Sequence, residues 1–228
     1  MLTVIEALLT AAEAADFCAA LANATWIDGA ATAGGHAARS KSNEQVDDRD
    51  PVARRLSATI AERLGAHALF TSAALPRRIF PPKFNRYRNG GHYGTHVDNA
   101  IMHHPGDGTL IRTDLSATLF LSDPADYDGG ELVIEGDYGA QTIRLAAGDL
   151  VLYPSTSLHQ VTPVTRGARV AAFFWITSLV RDPARRALLF DLDQSIQALS
   201  LNETSAVAVE VARLTGLYHN LVREWSEV

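Results

Sequence analysis

From about residue 78 the chain alternates apolar and polar positions with a period of two, the mark of strands that bury one face. The pattern predicts strands over 79–87, 94–98, 113–121, 130–135, 141–145, 149–153, 159–165 and 168–177. Turn signals separate them at Asn89-Gly90-Gly91, Asp126 to Gly130, Ala147-Gly148 and Arg166-Gly167. Gly129 and Gly130 permit a tight turn into the strand that follows. Short strands punctuated in this way predict a sandwich or barrel and not a βαβ sheet. Residues 101–112 read as a loop between two strands.

Helical spacing brackets this region. Residues 2–7 predict a short strand. Thr10 and Glu13 then form a capping-box pattern ahead of a helix over 11–22, with Cys18 as a small core or half-buried residue. Residues 28–45 are Gly/Ala/Ser-rich and predict weakly amphipathic strands and a loop. Asp50-Pro51 opens a helix that runs to Gly65 as its C-cap. After Thr177, Leu189, Leu192, Ile196 and Leu199 follow helical spacing, and so do Val207, Val211, Leu214, Tyr218, Leu221 and Trp225. The second set suits packing on the barrel. It equally suits a partner helix in a homo-oligomer. The expected class is mainly β with flanking helices (α+β). The expected division is a domain over 1–180, with its core at about 78–178, and a C-terminal helical subdomain over 181–228.

Composition narrows the function. The chain has 228 residues, 47% hydrophobic and 20% charged, as in an ordinary globular protein. A net charge of −6 without a basic stripe argues against nucleic acid as a partner. One cysteine excludes an intramolecular disulfide and a CxxC metal site. No stretch has the roughly 18 apolar residues of a membrane span. The Leu/Ala-rich start has no basic residue before Arg39 and is interrupted by Glu6, Glu13 and Asp16, so a cytoplasmic location is expected.

Candidate chemistry centres on Tyr87 to Asp98. On a strand, His96 and Asp98 would point to one face and could share a metal ion. With 8 His in the chain, about 0.6 His-x-Asp pairs arise by chance, so the pair needs a third ligand. His159 starts a late strand that a rolled double sheet can return beside the first. Two imidazoles and one carboxylate on one face of an octahedral ion leave three positions open, the arrangement of non-haem Fe(II) oxygenases. Arg169 shares its predicted face with Ala171, Phe173, Trp175 and Thr177, which favours burial. A buried guanidinium needs an anionic partner, and a dicarboxylic co-substrate would supply one. His92 and His96 are four apart, which suits zinc only on a helix, and the nearby glycines argue against a helix. His103 and His104 read as solvated loop residues, with substrate contact as the alternative.

Six segments carry a resemblance: Phe84 to Asn89, Tyr93 to Asp98, Asp114 to Ser122, Tyr127 to Leu132, Gly148 to Pro154 and Leu158 to Val164. They are similar to the Fe(II)/2-oxoglutarate dioxygenases of the prolyl-hydroxylase-like branch, and in particular to the PKHD-type (PiuC/YbiX-like) hydroxylases. The resemblance implies a double-stranded β-helix (jelly-roll) core. It implies His96, Asp98 and His159 as iron ligands, no catalytic side chain beyond the metal centre, and Arg169 on the distal carboxylate of 2-oxoglutarate. It implies Tyr87 near the co-substrate and Tyr93 in the pocket wall. Some relatives have a second tyrosine where this chain has Phe120, so Thr118 or Tyr87 is expected to compensate. Fe(II), 2-oxoglutarate, O2 and ascorbate are the implied cofactors. The implied reaction hydroxylates an unactivated C–H bond and converts 2-oxoglutarate to succinate and CO2. Two other readings stand beside it: a metal-binding or 2-oxoglutarate-sensing module on the same scaffold, and a zinc hydrolase, which lacks an obvious general base. A peptidyl proline and a siderophore-related small molecule are both consistent with the sequence as substrate.

Overall fold

The computed structural model describes residues 1–32, 40–136, 139–201 and 205–227. The 28–45 expectation therefore falls outside the described residues at 33–39. The strands are β1 (Thr3–Ile5), β2 (Trp26–Asp28), β3 (Lys41–Ser42), β4 (Glu44–Val46), β5 (Pro76–Ile79), β6 (Lys83–Arg88), β7 (His92–His96), β8 (Ile101–His103), β9 (Leu110–Arg112), β10 (Leu115–Phe120), β11 (Asp128–Gly129), β12 (Leu132–Gly136), β13 (Gly139–Ile143), β14 (Leu150–Pro154), β15 (His159–Val161), β16 (Val164–Arg166) and β17 (Ala168–Ser178). The helices are α1 (Ala11–Ala22), α2 (Pro51–Ala66), α3 (Ala68–Ala74), α4 (Pro183–Ser200) and α5 (Ser205–Trp225).

A large sheet runs β1-β14-β10-β17-β6-β4-β2, with β5 also on β17; a smaller one runs β13-β12-β15-β7-β3. From β6 onward the main strands alternate between the two sheets: β6 large, β7 small, β10 large, β12 small, β14 large, β15 small, β17 large. That winding is the double-stranded β-helix, and it returns His159 beside His96 as register neighbours on β15 and β7.

The period-two pattern splits the large sheet into two faces. Phe84, Leu115, Ala117, Leu119, Leu152, Phe174 and Ile176 pack outward with Phe17, Leu56, Ile60 and Phe70 of the helices. Tyr87, Phe120, Val151 and Tyr153 pack inward with Leu132, Ile134 and Val161 of the small sheet. Tyr87, Leu132, Tyr153 and Val161 of this inner cluster also line a cavity between the two sheets. The capping box forms as expected: Glu13 N donates to Thr10 Oγ1, and Thr10 N donates to Glu13. Asp50 caps α2 with Pro51 in its first turn. Cys18 is half-buried, and burial pushes its thiol up to about 11, so it stays protonated.

The structure corrects several boundaries. The 79–87 strand is two, β5 and β6, because Pro81 and Pro82 lack the N–H a ladder needs. The 94–98 strand ends at His96, so Asp98 lies beyond it. The 159–165 strand breaks after Val161, where Pro163 interrupts it. Residues 101–112 form the β8–β9 hairpin; its mostly exposed residues gave no periodic signal. Gly65 is not a C-cap. The helix continues to Ala66, and His67 both ends α2 and caps α3 through Nδ1. The seven residues of α3 are too few for periodicity to reveal. In the C-terminal pair, Tyr218, Leu221 and Trp225 pack on Leu75, Val180 and Leu189 of their own chain. Arg112 bridges Asp114 and Glu227, which fastens the end of α5 to the core. No helix among the described residues is long and apolar enough to cross a membrane.

Two glycines provide opposite tests of this packing. At Gly148 φ is +98° and an added Cβ would lie 2.0 Å from the Leu9 carbonyl oxygen, whereas a Cβ at Gly216 on α5 would have nothing within 4 Å among the described residues. Gly148→Ala should lower stability by at least about 2 kcal/mol. Gly216→Ala should raise it by up to about 1 kcal/mol. Thermal unfolding checks both, at roughly 2–4 °C per kcal/mol for a chain of this size.

Candidate metal centre

His96, Asp98 and His159 each offer a ligand atom, all within 4.8 Å of one another. Among the described residues no other His, Cys, Asp or Glu group has that spacing. His96 Nε2 lies 3.9 Å from Asp98 Oδ1, and His159 Nε2 lies 3.8 Å from Asp98 Oδ2. Both imidazoles are oriented from behind. His96 Nδ1 is 2.8 Å from the Gly94 carbonyl, and His159 Nδ1 is 3.0 Å from the Ser157 carbonyl. A carbonyl only accepts, so each Nδ1 carries the proton and each Nε2 presents a lone pair to the centre. Burial, with the neighbouring His159, pushes the His96 pKa down to about 4. The neutral, ligating form therefore prevails at neutral pH.

Asp98 follows the end of β7, and a side-chain pair that the sequence did not reveal fixes it. Ser116 Oγ donates to Asp98 Oδ2 at 2.6 Å, and Ser155 Oγ is 2.8 Å from Ser116 Oγ. Both serines are buried. The alternation on β10 points Ser116, Thr118 and Phe120 inward, which is the signal that could have found Ser116. Tyr93 stacks on His96 with centroids 3.5 Å apart, and Tyr153 meets His159 edge-on at 5.2 Å. These rings hold the imidazoles in place.

One cavity of about 950 Å³, its open mouth included, contains the three candidate ligands together with Tyr87, Tyr93, Thr118 and Arg169. Arg169 is 1% exposed, and its Nε and Nη2 have no hydrogen-bond partner among the described residues. Its Cζ lies 4.9 Å from the Phe120 ring and 5.6 Å from the Tyr87 ring. Gly130 lies against its stem: φ is +69° there, and a Cβ would fall 3.0 Å from Arg169 Cδ and 2.7 Å from Val164 Cγ2. Gly130 thus does more than turn the chain. Burial raises the Tyr87 pKa, opposed by Arg169, so the phenol stays protonated and can donate. Phe120 cannot donate, as expected. The buried Tyr127 hydroxyl also has no hydrogen-bond partner among the described residues.

His92, His103 and His104 are not among the cavity residues. His92 Nδ1 lies 3.1 Å from the Gly90 carbonyl, and His104 Nδ1 lies 3.1 Å from Asp107 Oδ1. Sequence reasoning missed Lys41, Asn43, Gln45, Lys83 and Asn85, which also line the cavity. The signal was present in β6, where Lys83, Asn85 and Tyr87 alternate with Phe84 and Arg86 and so share the inward face.

The donor set suits Fe(II), with imidazole and carboxylate ligands and room for further ones. Arg169 suits a carboxylate, because a buried guanidinium without an anion is costly and a planar carboxylate accepts from two of its N–H groups at once. Removing the hydroxyl that steadies Asp98 should weaken metal binding about 10- to 100-fold in Ser116→Ala. Competition against a metal indicator dye, with circular dichroism to confirm folding, measures it.

The family model described as the 2OG-Fe(II) oxygenase superfamily matches residues 82–177, and the PKHD-type hydroxylase C-terminal domain matches residues 183–227. A PKHD-type hydroxylase of Teredinibacter turnerae is 60% identical over 227 residues, covering 100% of both chains. Among solved structures, a prolyl hydroxylase from Trichoplax adhaerens, in complex with a hypoxia inducible factor oxygen degradation domain peptide fragment, is 17% identical. It covers 82% of this chain and 86% of its own, with a TM-score of 0.57. HygX from Streptomyces hygroscopicus, with nickel, 2-oxoglutarate and hygromycin B bound, is 18% identical and covers 76% of this chain and 81% of its own, with a TM-score of 0.52. The winding of the two sheets agrees with this likeness of fold, and identity over the full length of the curated relative goes further: the chain belongs to the PKHD-type hydroxylases of the 2OG-Fe(II) oxygenase superfamily, enzymes that depend on Fe(II) and 2-oxoglutarate.

Proposed function

We propose that His96, Asp98 and His159 hold the Fe(II), that Arg169 grips the distal carboxylate of 2-oxoglutarate, and that the enzyme hydroxylates an unactivated C–H bond. The observation that carries this reading is the orphaned, buried guanidinium of Arg169 in the same cavity as the three ligands. Iron, 2-oxoglutarate and O2 together supply the oxidising power: the co-substrate becomes succinate and CO2 with one oxygen atom, and the other oxygen enters the substrate C–H bond.

The chain's own residues bind, orient and exclude water. The backbone carbonyls of Gly94 and Ser157 engage the Nδ1 atoms and turn both Nε2 atoms towards the centre. Ser116 engages Asp98 Oδ2 and favours ligation through the other oxygen, which keeps coordination positions open. Arg169 neutralises a carboxylate in a low-dielectric setting where the attraction is strong. Tyr87, on the register partner of Arg169, and Thr118 complete the polar lining where Phe120 cannot. No other side chain is needed as acid or base, which fits a reaction whose catalytic group is the metal centre. Ascorbate serves as the reductant that rescues oxidised iron.

A sensing module on this scaffold would need the metal and the clamp but not turnover. The name shared by its full-length relatives favours the hydroxylase.

Anaerobic titration of Fe(II)-loaded protein with 2-oxoglutarate should give a weak visible charge-transfer band. Arg169→Ala should weaken 2-oxoglutarate binding by about 30-fold or more, as for loss of one partner of a buried charge pair. His159→Ala should abolish the band. In air, wild-type protein should release succinate and labelled CO2 in equal amounts, and Asp98→Ala neither. Metal binding with no band and no succinate would refute the proposal.

A further inference from the structure

Two turns meet beside Arg169. The first runs from Tyr127 to Gly130, and the second is Arg166-Gly167, just ahead of Arg169 in the chain. Strands β11 and β16 join them in register, Asp128 with Arg166 and Gly129 with Val164. The approach is close. A Cβ at Gly167 would lie 2.0 Å from the Asp126 carbonyl oxygen and 3.1 Å from Tyr127 Cα. A Cβ at Gly130 would lie 3.0 Å from Arg169 Cδ and 3.4 Å from Tyr127 Cε2. The space left by Gly130 is therefore flanked by the arginine stem and by the far end of the tyrosine ring, next to its hydroxyl. Arg169 lines the cavity, whereas Tyr127 is not among the cavity residues.

Each of these two side chains lacks what the other offers. Tyr127 is 0% exposed, and its hydroxyl has no hydrogen-bond partner among the described residues; nor have Nε and Nη2 of Arg169. A guanidinium has five N–H donors and no acceptor, and a carboxylate takes two of them in a fork. The donors left over need acceptors of their own. The Phe120 ring, 4.9 Å from the guanidinium carbon, offers only a π face. A phenol oxygen accepts as well as donates. Burial raises the Tyr127 pKa, opposed first by the charge of Arg169, so the phenol is protonated and neutral. Neutrality matters here. A carboxylate in its place would cancel the positive charge that an incoming dicarboxylate seeks, whereas a hydroxyl can orient the guanidinium and leave its charge intact. Tyr127 is also fixed independently of Arg169. Arg144 Cζ lies 4.5 Å from the centroid of its ring, Arg144 Nη2 donates to its carbonyl, and Glu131 pairs with Arg144 at 3.6 Å.

We propose that Tyr127 is a positioning residue for the dicarboxylate: its hydroxyl accepts a hydrogen bond from Arg169 Nε or Nη2 when a carboxylate occupies the cavity, and so sets the plane of the guanidinium that the carboxylate meets. This inference rests on the function proposed above. It assigns the hydroxyl no contact with the metal centre, so its effect is confined to ligands that reach Arg169.

Anaerobic isothermal titration calorimetry on the Fe(II)-loaded protein tests this with two ligands. One is 2-oxoglutarate. The other is oxalate, which chelates a metal through both carboxylates and has none left for Arg169. Tyr127→Phe removes the hydroxyl and keeps the ring. It should weaken 2-oxoglutarate binding by about fivefold or more, as for loss of a hydrogen bond to a charged group, and leave oxalate binding within about twofold of wild type. A crystal structure of the wild-type 2-oxoglutarate complex supplies a second reading that needs no variant. Tyr127 Oη should lie within about 3.2 Å of Arg169 Nε or Nη2. A smaller loss of 2-oxoglutarate affinity, a loss that oxalate shares, or a longer distance in the complex would each overturn the proposal. Arg169→Ala is the control. If it binds 2-oxoglutarate weakly while Tyr127→Phe binds normally, this inference alone is refuted; if it binds as tightly as wild type, the function on which the inference rests is refuted.

Discussion

A guanidinium buried without an anion is the constraint on which the rest of this structure depends. Taking Arg169 out of water costs several kcal/mol unless something answers its charge. Among the described residues the faces of Phe120 and Tyr87 lie near the guanidinium and attract a cation weakly, which compensates in part. The stem of the side chain also lies against Gly130, where an added Cβ would fall 3.0 Å from Arg169 Cδ. The fold therefore keeps a buried charged group in the same cavity as two imidazoles and a carboxylate.

The double winding makes that arrangement reachable. His96 and His159 are 63 positions apart in sequence, yet adjacent in register because consecutive strands alternate between sheets. Arg169 reaches the same cavity from the opposite sheet. The outward faces of those strands bury apolar side chains against helices α1, α2 and α3, which leaves the inward faces free to carry polar chemistry. Core and site are thus two faces of the same strands.

Much of this was legible in the sequence, and the exceptions have physical causes. Alternation located the main strands and the inward face of β17, because half-buried strands must alternate. The capping box and Asp50-Pro51 located helix starts, because orphan N–H groups need those side chains. Short elements were lost: α3 has seven residues and β3 two, too few for any period to show. Asp98 was read on a strand and lies past its end, since periodicity cannot tell where a ladder stops. The hydrogen bonds from Ser116 to Asp98 and between Ser116 and Ser155 were invisible because they join segments 18 and 39 residues apart. The polar face of β6 was readable, but a lysine and an asparagine on a strand look like solvated residues until the opposite sheet covers them.

The central claim is that the three ligands and the buried arginine form a single site with one chelating co-substrate between them. A crystal structure of the anaerobic Fe(II)·2-oxoglutarate complex tests it most directly. The account predicts one metal ion bound by His96 Nε2, His159 Nε2 and one oxygen of Asp98, with 2-oxoglutarate on its open positions and its far carboxylate on the guanidinium of Arg169. A metal held by any other residues, or a 2-oxoglutarate whose far carboxylate turns away from Arg169, would contradict it.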